Sequence, residues 1–85
     1  MPCTVCGVVE GTVAHHVKSV GSGGDDVPEN LCVLCFKHHT QVHQVGLKIF
    51  VQTYPRMGTW LQENNWKYDE FMGKYVRLTH RGWED

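Results

Sequence analysis

Apolar positions along this chain change their spacing from strand-like to helix-like as it is read. "GTVAHHV", from Gly11 to Val17, has the β-branched character of a short strand and ends on two histidines. Residues 18–30, "KSVGSGGDDVPEN", combine Gly, Ser, Asp and Pro and predict an irregular, mobile connection. "LCVL", from Leu31 to Leu34, is an apolar run suited to a second strand, antiparallel to the first. The period then lengthens. Phe36 to Val45 reads as a helix that Gly46 stops, with His39 and His43 on one face at i, i+4 and His38 turned away from it. Leu47, Phe50, Val51 and Tyr54 mark an amphipathic helix, and Pro55 ends it and opens another carrying Met57, Trp60 and Leu61. "ENNW" breaks that spacing. Beyond it the pattern predicts only one short strand, Lys74 to Leu78.

Length changes the picture first. Eighty-five residues make one small domain whose apolar core supplies little net stability, so a further staple is expected. The formal charge of -1 removes a globally basic surface as an argument for nucleic-acid binding. No apolar run is long enough for a membrane span, and "MPCTVCG" lacks the regions of a signal peptide, so an intracellular, reducing setting is expected. There, four cysteines among six histidines point to metal rather than disulfides.

Cys3 and Cys6 form a C-x2-C pair whose partners are either Cys32 with Cys35 or Cys35 with His38. Strand geometry favours the second choice. Cys32 would project from mid-strand, whereas Cys35 at the strand end and His38 one turn into the helix can converge. Structural Zn²⁺ held by Cys3, Cys6, Cys35 and His38 would be the expected staple, with Cys32 a buried thiol. His15, His16, Asn30, His39 and His43 are left over, and His39 with His43 is a ready clamp for a second metal.

These elements, "HHV", "ENLCVLC" and "HHTQVH", resemble the HNH endonuclease family, the ββα-metal or His-Me finger nucleases, over residues 3–43. The resemblance implies a small α+β protein with a zinc-stapled ββα-metal core, residues 1–45, followed by a C-terminal helical extension, residues 46–85, packed on it within one domain. It implies a metal-dependent DNA endonuclease or nickase, with DNA as partner and 5′-phosphate and 3′-hydroxyl products. His16 takes the place of the general base and Asn30 that of the residue fixing the loop and orienting the base. His39 is the final histidine of the motif. His15, His39 and His43 would hold the catalytic cation, for which imidazoles favour Mn²⁺, Co²⁺ or Ni²⁺ over Mg²⁺. His38 departs from the pattern, since many members place Cys there, but zinc accepts either. Small free-standing members are frequent in bacteriophage genomes.

Two rival readings are weaker. A catalytically silent zinc module that binds nucleic acid or protein needs no base beside three imidazoles, and would gain from a basic surface that is lacking here. A zinc hydrolase of small molecules would be expected to show the carboxylate of H-E-x-x-H enzymes. "GSGGDD" lacks the Lys-Ser/Thr of a phosphate loop and reads as a plain connection. Phe50, Tyr54, Trp60, Trp66 and Tyr68 have the option of stacking on bases, but such spacing more often means core. His80 has no assigned role.

Overall fold

The computed structural model describes residues 1–18, 21, 23–79 and 82–84, with Thr79 and the last three described in backbone only; His80 lies outside the described residues. Strand β1 (Thr12–His16) pairs antiparallel with β2 (Leu31–Cys35), His15 opposite Cys32 and His16 opposite Leu31. Opposed residues share a face of a sheet, so His15 projects with Cys32 and Leu34, and His16 projects with Leu31 and Val33 on the other side. Cys32 and Leu34 are buried whereas Leu31 and Val33 are only half-buried. The buried face of β2 is therefore the one His15 shares.

No linker separates β2 from helix α1 (Phe36–Val45). Cys35 is both the last residue of the strand and the N-cap of the helix, and its side chain makes no capping bond. This junction completes a ββα unit. Gly46 then separates α1 from α2 (Leu47–Thr53) with φ 84° and ψ 158°, a backbone conformation that essentially only glycine adopts. The apolar stripe of α2 behaves as its periodicity predicts: Phe50 is fully buried, and Leu47, Val51 and Tyr54 pack against the core. Helix α3 (Pro55–Glu63) starts on its proline and buries Met57 and Leu61 against Phe50, Cys32, Leu34 and Val42.

Asn65, in the left-handed region at φ 68°, leads from α3 into a second sheet of order β3-β4-β5: β3 (Trp66–Asp69), β4 (Lys74–Thr79) and β5 (Gly82–Glu84). The extension beyond Gly46 is thus helical only in its first half. β4 matches the expected strand, while β3 and β5 do not follow from the pattern. Each holds too few residues to show a period, and pairing with β4 is what makes them strands. Trp66 and Phe50 are core residues, as the simpler reading of the aromatics expects. Among the described residues, no helix is long and apolar enough to cross a membrane.

Candidate metal centres and active site

The C-x2-C knuckle is a tight turn. The Gly7 N–H, at φ 80°, donates to the Cys3 carbonyl at 2.9 Å, and the Cys3 N–H donates to the Val8 carbonyl at 2.8 Å. The Thr4 N–H donates to the Val33 carbonyl at 2.8 Å, which docks the knuckle beside β2. As a result Cys3, Cys6, Cys35 and His38 bring one ligand atom each to within 4.8 Å of all the others. Cys6 Sγ lies 3.9 Å from Cys35 Sγ, and Cys3 Sγ lies 3.8 Å from His38 Nδ1. A tetrahedral ion with Zn–S bonds near 2.3 Å and a Zn–N bond near 2.1 Å separates its ligands by roughly 3.6–3.8 Å. These two separations and the donor set fit zinc, while Cys35 Sγ and His38 Nδ1, at 3.1 Å, stand closer than that.

The electrostatics agree at Cys3. At Cys6 the Val8 N–H lowers the thiol pKa, but burial and the neighbouring Cys3 and Cys35 sulfurs push it up overall, as expected of thiols crowded together. Burial raises the Cys3 thiol pKa, but backbone N–H groups of Cys6, Cys35 and Val5 turned to the sulfur outweigh it and bring it down to about 6, which favours the thiolate that a metal needs. All four cysteines are free thiols. Cys32 is outside the cluster, as the strand geometry predicts. Fully buried, its S–H has Thr4 Oγ1 at 3.4 Å and Met57 Sδ at 3.5 Å, and burial pushes its pKa up to about 11. His38 is held from behind by Tyr54, ring edge to ring face at 4.9 Å, whose hydroxyl donates to Gln41 Oε1 at 2.9 Å.

The second cluster gathers His15 from β1 and His39 and His43 from consecutive turns of α1, again with one nitrogen each within 4.8 Å of the others. The Nε2 atoms of His39 and His43 are 3.1 Å apart. Adjacent positions of an octahedron with bonds near 2.1 Å are separated by roughly 3.0 Å, so this pair suits two neighbouring positions on one cation. Burial, and then the nearby His43, His39 and His16 rings, depress the His15 pKa to about 4. Burial and His43 also lower that of His39. Both shifts favour the neutral form that a metal needs.

His16, next to the cluster but on the other face of β1, makes a 2.7 Å contact from Nε2 to Asp26 Oδ1. Asn30, which is 1% exposed, is the clamp of the loop. Its Oδ1 accepts the Lys18 N–H at 2.8 Å, and its Nδ2 donates to the carbonyls of Asp25 at 2.7 Å and Lys18 at 3.0 Å. Its own carbonyl accepts the Val17 N–H at 3.0 Å. Both ends of the connection are thereby fastened to the end of β1.

Four residues of this region escape sequence reasoning. Asp25 and Asp26 belong to a segment that reads as a plain connection, yet its second half is anchored. Trp66 Nε1 donates to the Glu29 carbonyl at 2.7 Å, and Arg77 Nη2 reaches both Asp25 carboxylate oxygens at 3.4 Å while its guanidinium lies over the Trp66 ring. The available signal was the Asp-Asp pair itself, carboxylates set among glycines within reach of a histidine doublet.

Residues 1–77 match a family model described as "Putative HNHc nuclease". No curated protein and no solved structure shows a significant match to the chain.

Proposed function

This chain belongs to the HNH nuclease family, and on that premise we propose that it is a metal-dependent DNA endonuclease or nickase. The observation that carries the reading is the convergence of His15, His39 and His43 beside His16. A binding module has no use for three converging imidazoles next to a histidine whose ring nitrogen faces a carboxylate.

In the proposed mechanism, His16 takes a proton from water at Nδ1, the nitrogen left free when Nε2 faces Asp26. The water oxygen attacks phosphorus, the bond from phosphorus to the 3′ oxygen breaks, and the leaving oxygen takes a proton from solvent. The products carry 5′-phosphate and 3′-hydroxyl ends. A divalent cation held by His15, His39 and His43 would supply Lewis-acid stabilisation of the phosphate and the leaving oxygen. Asn30 keeps the end of β1 and the loop in register, and Cys3, Cys6, Cys35 and His38 would keep the knuckle on the core by holding zinc. Four free thiols suit an intracellular, reducing setting.

The test is nicking of supercoiled plasmid by zinc-loaded protein across a series of cations. Mn²⁺, Co²⁺ or Ni²⁺ should support cleavage at lower concentration than Mg²⁺. His16→Ala should fold, retain zinc and lose roughly 100-fold or more in rate. If folded, zinc-loaded wild type leaves plasmid intact with every cation, the protein is a silent zinc module.

A further inference from the structure

We infer that Asp26 is the positioning residue for His16. Its carboxylate accepts the Nε2–H hydrogen bond and so holds the ring in one orientation, with the lone pair on Nδ1. The inference rests on the reading of His16 as the base, and it extends that reading to a residue drawn from the loop.

A neutral imidazole carries one proton on either of two nitrogens, and only the other nitrogen is a base. A carboxylate 2.7 Å from Nε2 can only accept, so the tautomer it selects has the proton on Nε2 and leaves Nδ1 basic. The same contact fixes the rotation of the ring about its Cβ–Cγ bond. Asp26 is well exposed, at 82%, and an exposed pair of this kind adds little to folding stability. Its effect therefore lies in orientation.

An exposed aspartate on a loose loop would not hold a ring, and here the loop is held on both sides of it. The preceding residue, Asp25, gives its carbonyl to Asn30 Nδ2 at 2.7 Å and its carboxylate to Arg77. Three residues after Asp26, the Glu29 carbonyl accepts from the Trp66 indole at 2.7 Å. Between them Pro28–Asn30 forms a 3-10 turn that the Asn30 N–H closes on the Val27 carbonyl at 2.9 Å. Asp26 is thus presented to His16 by a frame of Asn30, Trp66 and Arg77. Trp66 and Arg77 thereby act on the proposed base through the loop.

The test has two arms on the zinc-loaded, full-length protein. Long-range proton–nitrogen NMR of the histidine rings should show His16 in wild type as a single tautomer protonated on Nε2, with that proton slow to exchange. In Asp26→Ala the proton should exchange fast and the ring should average between tautomers. In plasmid nicking, Asp26→Ala should lower kcat by about 10- to 100-fold, the usual scale for removing a carboxylate that orients a functional histidine, with KM within about twofold of wild type and an unchanged melting temperature. A wild-type His16 that already averages between tautomers overturns the inference, as does an Asp26→Ala variant with wild-type kcat. Should wild type fail to cut DNA, the nuclease reading falls, and the NMR arm still decides whether Asp26 orients His16.

Discussion

His15 is the residue whose protonation most directly reports its surroundings. Its pKa of about 4 lies below the value of about 6.5 expected in the unfolded chain, because the ring is largely buried and faces other imidazoles. The unfolded chain therefore binds the extra proton first. The contribution to stability is complete above pH 6.5 and is lost as pH falls towards 4. With allowance for solvent screening of a ring that is not fully buried, wild type should lose about 1 kcal/mol between pH 7 and pH 5.5 that His15→Gln keeps. Urea unfolding of both proteins at the two pH values, without added divalent cation, measures this. Equal losses would mean that His15 sits in a more watery site than its burial indicates.

At the same scale, sequence and structure part company over what a residue's neighbours in sequence can reveal. Cys3, Cys6, Cys35 and His38 were legible because metal geometry imposes short spacings within each half of the set. His39 and His43 were legible because one helical turn separates them. Asp26 was not: its partner His16 is ten residues away across a loop, and nothing local distinguishes an aspartate that orients a ring from one that solubilises a turn. Trp66 and Arg77 were less accessible still. They meet the loop across 37 and 52 residues.

Among the elements, the joint between α1 and α2 is the most exacting. The periodicity on either side of Gly46 foretells both helices, because each has to cover the core with one stripe. The conformation of the joint follows from the need to turn the chain so that Val42 and Phe50 are buried together. Space is not the constraint, since a Cβ at Gly46 would meet nothing within 4 Å. Backbone strain is. Gly46→Ala should therefore cost about 1–3 kcal/mol, seen as a lower midpoint in urea at unchanged slope. A wild-type midpoint would show that the two helices can dock at another angle. The second sheet was illegible for the opposite reason, since its short strands owe their conformation to one another.

For the molecule as a whole, stability should hinge on the Cys3, Cys6, Cys35 and His38 cluster. A small domain keeps a net stability of roughly 5–15 kcal/mol, and a structural zinc site contributes on the order of 10 kcal/mol. Cys35→Ser, or treatment with a strong chelator, should unfold the chain, read by circular dichroism alongside zinc content. Cys32→Ser should remain folded with one zinc per chain, since its thiol faces Thr4 and Met57 rather than the cluster. Unfolding of Cys32→Ser with a folded, zinc-loaded Cys35→Ser would reverse the ligand assignment.

The indole of Trp66 on the Glu29 carbonyl also has a consequence in time. A ribosome releases a chain from its N-terminus at about 5–20 residues per second, and the first 38 residues already contain all four members of the Cys3, Cys6, Cys35 and His38 cluster. Among the described residues, Trp66 and Arg77 of the second sheet also fasten the loop carrying Asp26. Nascent chain can thus gather that cluster seconds before the second sheet takes hold of the loop beside His16, and the molecule acquires shape before it acquires alignment.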